Sequence, residues 1–93
     1  MRAAKVDANQ PVIVAALRKI GASVQPLHAV GQGVPDLLVG FRSRNVLLEV
    51  KDGSKPPSAI GLTSDQVRWH ACWNGQVHVV YSIDDAIRVV LGD

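Results

Sequence analysis

The sequence predicts one α/β domain, residues 1–93, in which helices flank a mixed central sheet and the elements follow the order αβββαβα. Three observations lead to this prediction. The chain has 93 residues, the size of a single domain. No repeat or linker-like segment divides it, and helical and strand periodicities alternate along it. Hydrophobic residues make up 47% of the chain, which supports a packed core and excludes a disordered tail.

The first half of the chain predicts one helix and three strands. Apolar residues at i, i+3, i+4 and i+7 predict a helix over 12–20 that ends at Gly21. Its beginning is left open between a capping box over 7–10 and a first turn at Pro11. Short apolar runs between turn residues predict strands over 22–27, 36–41 and 46–51.

The second half predicts a loop, a helix, a strand and a last helix. Pro, Gly and Ser over 52–61 are typical of a loop. Thr63 and Gln66 form a capping box that begins a helix, and Gly75 follows as a stop. A strand over 77–81 and a helix over 83–91, capped by Ser82, complete the chain. A hairpin followed by a helical crossover implies a mixed sheet.

Composition restricts where the protein acts. The longest apolar run, 12–17, is far too short to cross a membrane. Residues 1–5 lead into polar residues without an apolar stretch, so we expect no signal peptide. Cys72 is the single cysteine, which excludes disulfides within one chain and cysteine-rich zinc sites. We therefore expect a cytoplasmic protein.

The charged residues are unevenly distributed by type. Ten Lys and Arg residues against eight Asp and Glu residues give a net charge of +2, which only weakly favours a nucleic-acid partner. Glu49 is the only glutamate, and it lies between Leu48 and Val50 in a predicted strand. A single glutamate in an apolar strand indicates a residue with a specific role rather than one that keeps the protein soluble.

Asp36, Glu49 and Lys51 are predicted to converge at one end of the hairpin. A polar turn over 42–45 would pair Phe41 with Val46, which puts Asp36 across from Lys51. Glu49 would then be the diagonal neighbour of Asp36, about 7–8 Å away. Glu49 and Lys51 share one face because strand side chains alternate with a period of two.

Two carboxylates held together indicate a cation between them. Hard oxygen ligands suit Mg²⁺ or Mn²⁺, and the backbone carbonyl of Val50 is a natural additional ligand. A metal that polarises a phosphoryl oxygen, beside a lysine that orients the attacking water, is the minimum apparatus for phosphodiester hydrolysis.

Three motifs carry a resemblance to a known family. Gly33-Val34-Pro35-Asp36 precedes Glu49-Val50-Lys51, and Leu62-Thr63-Ser64-Asp65-Gln66 follows. In this order the motifs resemble the PD-(D/E)XK nucleases, and in particular their virus-type replication-repair branch, the VRR-NUC domain. The resemblance covers nearly the whole chain and indicates a stand-alone, phage-type member.

The resemblance implies a restriction-endonuclease-like fold and a role for each matched residue. Asp36 and Glu49 would bind Mg²⁺, with Mn²⁺ as a possible substitute. Lys51 would orient or activate the attacking water, and Gln66 would help to position that water or the phosphate. The family often adds an acidic residue on its first helix; here Asp7 is the candidate, and a helix cap is the alternative role for it.

The resemblance also implies an endonuclease that cuts DNA, with branched structures such as four-way (Holliday) junctions as substrates, in a bacterial or phage-infected cell. Lys55, on the loop after the site, and Gly33 are the predicted DNA contacts, ahead of Arg42 and Arg44. Coordinated cutting of two strands predicts a homodimer, with Trp69, Trp73 and the last helix offering spare apolar surface. The alternatives are a non-catalytic DNA-binding module, a monomeric nicking nuclease and a small interaction protein.

The remaining singular residues have structural interpretations. His28, His70 and His78 lack metal-ligand spacing and an obvious orienting carboxylate, so we expect surface or half-buried positions for them. Trp69 and Trp73 lie at i, i+4, which favours a core or interface position over a base-stacking one. Cys72 is expected to be a small buried residue.

Overall fold

The computed structural model describes residues 6–92, and the expectation about residues 1–5 lies outside them. The described chain has an α/β fold with three α-helices and a four-stranded mixed sheet, as expected. The elements are α1 (Gln10–Lys19), β1 (Ser23–Pro26), β2 (Leu37–Phe41), β3 (Arg44–Val50), a short 3₁₀ helix (Pro57–Ala59), α2 (Ser64–Cys72), β4 (Val77–Val80) and α3 (Ile83–Leu91). Within residues 6–92, no helix combines the length and the apolar character that crossing a membrane requires.

The strands lie side by side in the order of the sequence. β2 pairs antiparallel with both β1 and β3, and β4 pairs parallel with β3. A parallel pair needs a long crossover connection, and the segment that contains α2 supplies it. The carboxyl end of β3 and the amino end of β2 therefore meet at one edge, beside the beginning of α2.

The β2–β3 turn is tighter than the sequence predicts. Arg42 and Ser43 both adopt left-handed φ angles of 51° and 63°, as the two central residues of a short hairpin turn do. Phe41 consequently pairs with Arg44, so the predicted pairing of Phe41 with Val46 is wrong by two residues. Neither turn residue is a glycine or asparagine, the residues that usually mark such a turn.

One face of the sheet is covered by α1 and α3, which contact each other as well as the strands. Ile13 and Leu17 of α1 are fully buried there, together with Ala86 of α3. The strands contribute the core residues Leu37, Val39, Val46, Leu48, Val50 and Val80. We call this the core face.

The ends of α1 and α3 show how local sequence sets helix bounds. α1 begins at Gln10 after Asn9, whose side chain makes no capping hydrogen bond, so the capping box considered over 7–10 is not formed. Ser82 caps α3 as expected, since its Oγ accepts a hydrogen bond from Asp85 N at 3.1 Å. At the other end of α3, the Arg44 guanidinium donates to the carbonyl oxygens of residues 89 and 90.

The opposite face, which we call the site face, is covered differently. α2 begins with the predicted capping box, in which Thr63 Oγ1 accepts from Gln66 N at 3.2 Å and Gln66 Oε1 accepts from Thr63 N at 2.9 Å. No residue of α2 is buried. Cys72 is exposed, so the prediction of a buried position for it is wrong. α2 is therefore held by something other than an apolar core.

Candidate metal and phosphate site

Asp36 and Glu49 face each other across the β2–β3 hairpin. Leu37 pairs with Leu48, so one step further along the ladder puts Asp36 opposite Glu49. Directly opposed side chains have Cβ atoms about 4.5–5.5 Å apart. The prediction that Asp36 lies across from Lys51 is therefore wrong, because the tighter turn shifts β3 by two residues. In the observed register the two carboxylates lie closer together than the sequence predicts.

All three charged groups at this edge are buried. Asp36 is 5% exposed, Glu49 1% and Lys51 9%. Asp36 Oδ2 accepts a hydrogen bond from Val50 N at 2.7 Å. In an antiparallel ladder the N–H and C=O of one residue turn to the same neighbouring strand. The Val50 carbonyl, the predicted additional ligand, is therefore on the Asp36 side of β3.

The Glu49 carboxyl is strongly perturbed. Burial, followed by a hydrogen bond and charge repulsion from Asp36, raises the pKa of Glu49 to about 9, against the lowering effect of Lys51. Two like charges at this distance cannot both ionise without compensation. In the absence of a cation the pair of carboxyl groups therefore keeps a proton at neutral pH. A divalent cation bound between the carboxylates would replace this proton.

Gln66 links the lysine to the carboxylate. Its Oε1 accepts from Lys51 Nζ at 2.8 Å, and its Nε2 donates to Glu49 Oε2 at 3.2 Å. The same Oε1 also accepts from Thr63 N in the capping box. One side chain thus begins α2 and fixes two site residues, so the capping role and the site role expected for Gln66 coexist.

His70 belongs to the site, which sequence reasoning missed. Its Nε2 lies 3.4 Å from Glu49 Oε1, and its side chain is only 14% exposed. Burial, and secondarily the Lys51 ammonium, lower the pKa of His70. The signal was available: residues i and i+4 share a helix face, so a helix that aims Gln66 at the site also aims His70 there.

A cleft of about 310 Å³ opens over Lys51 and Gln66. Asp7 lines it, as do Gly33 and Val34. Lys55 Nζ lies 3.7 Å from Asp7 Oδ1, with both side chains partly exposed. The structure thus brings together at one opening the predicted first-helix acid and the predicted DNA contacts.

Asn9 has a different task. Its Nδ2 donates to the Lys51 carbonyl at 3.0 Å and lies 3.5 Å from the Tyr81 carbonyl. This side chain therefore ties the beginning of α1 to the ends of β3 and β4, directly behind the lysine. Asp7 lines the cleft, as does Asp65 of α2.

Gly33 is required by close packing. Its φ is +83°, and a Cβ at this position would clash with the Asp65 carbonyl oxygen. Only glycine permits such an approach. The loop before β2 therefore lies directly on the first turn of α2, which places Asp36 and Gln66 in a fixed relation.

The two tryptophans lie outside the core. Trp69 and Trp73 stack with ring centroids 4.7 Å apart and planes inclined by 19°. Trp73 is 46% exposed and lines an apolar groove together with Leu38 and Leu47 of the site face. Of the alternatives left open by the sequence, the core position is excluded for Trp73.

Within residues 6–92, no group of three or more His, Cys, Asp or Glu side chains is arranged to hold a metal ion. The candidate ligands are accordingly two carboxylates and a backbone carbonyl. No family model matches the chain, and neither a curated protein nor a solved structure is significantly similar to it.

Proposed function

We propose that the protein is a Mg²⁺-dependent endonuclease with a restriction-endonuclease-like fold that hydrolyses phosphodiester bonds in DNA. One observation carries the proposal. Asp36, Glu49 and Lys51 lie buried at one edge of the sheet. Gln66 joins Lys51 to Glu49, and Asp36 is bonded to the backbone N–H of Val50. A structural role does not account for two opposed carboxylates in a protein of this size, since burying them is costly without a cation.

The residues present fit a divalent cation with hard oxygen ligands. Asp36 and Glu49 would hold it, together with the Val50 carbonyl, and Mg²⁺ usually keeps several waters beside so few protein ligands. Mn²⁺ suits the same oxygens. The cation would polarise the phosphate and make a nearby water more acidic. The raised pKa of Glu49 supports this assignment, because it arises from burial and, after that, from the neighbouring Asp36 carboxyl.

Lys51 and Gln66 supply the remaining chemistry from the chain itself. Lys51 is held in place by Gln66, and its backbone carbonyl by Asn9, so the ammonium has a fixed position beside the carboxylates. It would orient the attacking water and offset charge that develops on the phosphate. Gln66 Oε1 can exchange the hydrogen bond that it accepts from Lys51 for one donated by that water, whereas a hydrogen bond to the phosphate would come from Nε2.

DNA would approach through the cleft over Lys51. Gly33 lines it. Lys55 is paired with Asp7, which lines the cleft, and a phosphate can replace Asp7 as its partner. Asp7, once released, would be available as the additional acid near the cation.

Branched DNA, such as a four-way junction, is the proposed substrate, and a homodimer is the proposed active unit. Both rest on the resemblance to the VRR-NUC branch and on the need for two sites to cut two strands. The exposed Trp73 and its groove offer apolar surface for a second copy. The apolar residues of α3 offer less, since Ala86 and Val90 are used in the core. The proposed location is the cytoplasm of a bacterial or phage-infected cell.

A labelled four-way junction tests the proposal. The purified protein is incubated with it in Mg²⁺ and in EDTA, and binding is followed in parallel by gel shift. Mg²⁺-dependent cleavage is expected, with two strands cut per binding event. Binding without cleavage would identify a non-catalytic DNA-binding module, and neither activity would indicate an interaction protein. Cleavage of one strand by a species that sediments as a monomer would support the nuclease activity and contradict the homodimer.

A further inference from the structure

Both oxygens of the Glu49 carboxylate face a polar group from the same helix. Gln66 Nε2 donates to Oε2 at 3.2 Å, and His70 Nε2 lies 3.4 Å from Oε1. The two α2 residues are one turn apart and reach the carboxylate side by side. Glu49 is therefore gripped from one direction, while Asp36 approaches it from the neighbouring strand.

These polar contacts are a large part of what attaches α2 to the sheet. No residue of α2 is buried, whereas α1 and α3 both contribute fully buried residues to the core. The Gly33 backbone also packs closely against the Asp65 carbonyl. The same few hydrogen bonds thus help to hold both α2 and the Glu49 carboxylate in place.

Glu49 can still bind a cation while Gln66 and His70 contact its two oxygens. A carboxylate offers about four lone-pair sites on its two oxygens, so one hydrogen bond to each oxygen leaves room for a metal. A neutral imidazole donates through one of its nitrogens, and Nε2 is the nitrogen that faces Glu49.

We infer that His70 is a positioning residue for the metal ligand Glu49: it holds Oε1 so that the carboxylate is presented to the cation in one orientation. The inference rests on the proposed function. Residues that hydrogen-bond a metal ligand set its orientation, and losing one typically costs 10–100-fold in metal affinity or activity. His70 acts through Glu49 and need not touch DNA.

The test uses Mn²⁺ alone as the probe, titrated into the full chain and followed by electron paramagnetic resonance. His70→Ala should weaken Mn²⁺ binding by about 10–100-fold. His70→Gln, which keeps a donor at similar reach, should restore most of the affinity. Cys72→Ser is the matched control, because it changes an exposed residue of the same helix. It should bind Mn²⁺ like the wild type.

Two further readouts separate positioning from a loss of structure. Far-ultraviolet circular dichroism and the metal-free melting temperature show whether His70→Ala folds; if it does not, His70→Leu, which fills the space without a donor, replaces it. On DNA, the variant should lose kcat and regain part of it at high Mn²⁺, while KM for DNA stays unchanged. Because the variant is shown to be folded without metal, recovery of kcat at high Mn²⁺ reports weakened metal binding and not refolding.

The outcomes distinguish this inference from the proposed function. Equal Mn²⁺ affinity in His70→Ala and the wild type overturns the role of His70, even if the protein is a nuclease. Loss of affinity in His70→Gln as large as in His70→Ala overturns it too. Mn²⁺ binding that depends on His70, without any DNA cleavage by the wild type, supports the inference and overturns the nuclease. A wild type that binds no Mn²⁺ overturns both.

Discussion

The two faces of the sheet are built on opposite principles. The core face packs apolar side chains of α1, α3 and the strands until they are inaccessible to water. The site face buries Asp36, Glu49 and Lys51 and is covered by α2, which has no buried residue. Apolar burial on the core face stabilises the fold, whereas burial of charged groups on the site face is destabilising. Stability and chemistry are therefore separable by substitution, residue by residue along the same strands.

The largest effect is expected on catalysis at Lys51. Lys51→Ala should lower the cleavage rate by about 10²–10⁴-fold, the usual range for a group that assists proton transfer. DNA binding should weaken only slightly, since one phosphate contact is a small part of the electrostatic attraction. Single-turnover cleavage and gel shift measure the two effects. If binding falls in proportion to the rate, Lys51 anchors DNA and does not assist the reaction.

The next effect compares neighbouring leucines on opposite faces. Leu37 is fully buried on the core face, whereas Leu38 is 38% exposed on the site face. Leu37→Ala should reduce the free energy of unfolding by about 2–5 kcal/mol. Leu38→Ala should cost less than about 1 kcal/mol. Urea denaturation of both variants measures the difference, and equal losses would show that the two faces contribute alike.

A smaller effect concerns pH. The folded protein keeps the Glu49 proton up to a pKa of about 9, whereas the unfolded chain releases it near the ordinary value of 4.5. The contribution of Glu49 to stability is therefore present below about pH 4.5 and is lost as the pH rises towards about 9. The free energy of unfolding of the metal-free wild type should fall through this window relative to that of Glu49→Gln.

Denaturation in EDTA at several pH values measures this difference between the two proteins. Added Mg²⁺ should restore stability to the wild type, most strongly at high pH, and should not affect Glu49→Gln. Parallel pH profiles for the two proteins would show that the Glu49 carboxyl is not perturbed by its surroundings.

The smallest effect locates the DNA. Lys55 lies at the cleft, while Arg42 lies in the distant β2–β3 turn, over the Phe41 ring. Lys55→Ala should reduce the salt dependence of DNA binding by about one ion, and removal of Arg42 should not. Arg42→Asn is the matched control, because asparagine tolerates the left-handed φ of that turn. Arg44 is unsuitable, since it binds the end of α3. If Arg42→Asn reduced the salt dependence of binding more than Lys55→Ala does, DNA would bind at the turn and not at the cleft.

Much of the fold was predictable because its signals are local. The Thr63–Gln66 capping box, the Ser82 cap and the apolar runs of the strands each act over a few residues. The register was not predictable in the same way. Arg42 and Ser43 turn the chain although neither carries the usual turn preference, so the tertiary structure overrides the local one. The predicted pairing of Asp36 with Lys51 was wrong for this reason.

The site was predicted in composition and less well in detail. Asp36, Glu49 and Lys51 come together at one edge, as expected from strand alternation. His70 was missed and Cys72 was wrongly expected to be buried for a common reason. Neither expectation considered that α2 packs through polar rather than apolar residues, unlike most amphipathic helices. It instead attaches through hydrogen bonds to the buried charges, a feature that no periodicity of apolar residues reveals.

The most direct test of the account is the cleavage of a labelled four-way junction in Mg²⁺ by the wild type, Asp36→Asn and Glu49→Gln. Each variant removes one carboxyl group from the pair while keeping the size of the side chain. We predict cleavage by the wild type and none by either variant, although both should fold and melt at or above the wild-type temperature without metal. Cleavage by Glu49→Gln at the wild-type rate would contradict the assignment of this edge of the sheet as the active site.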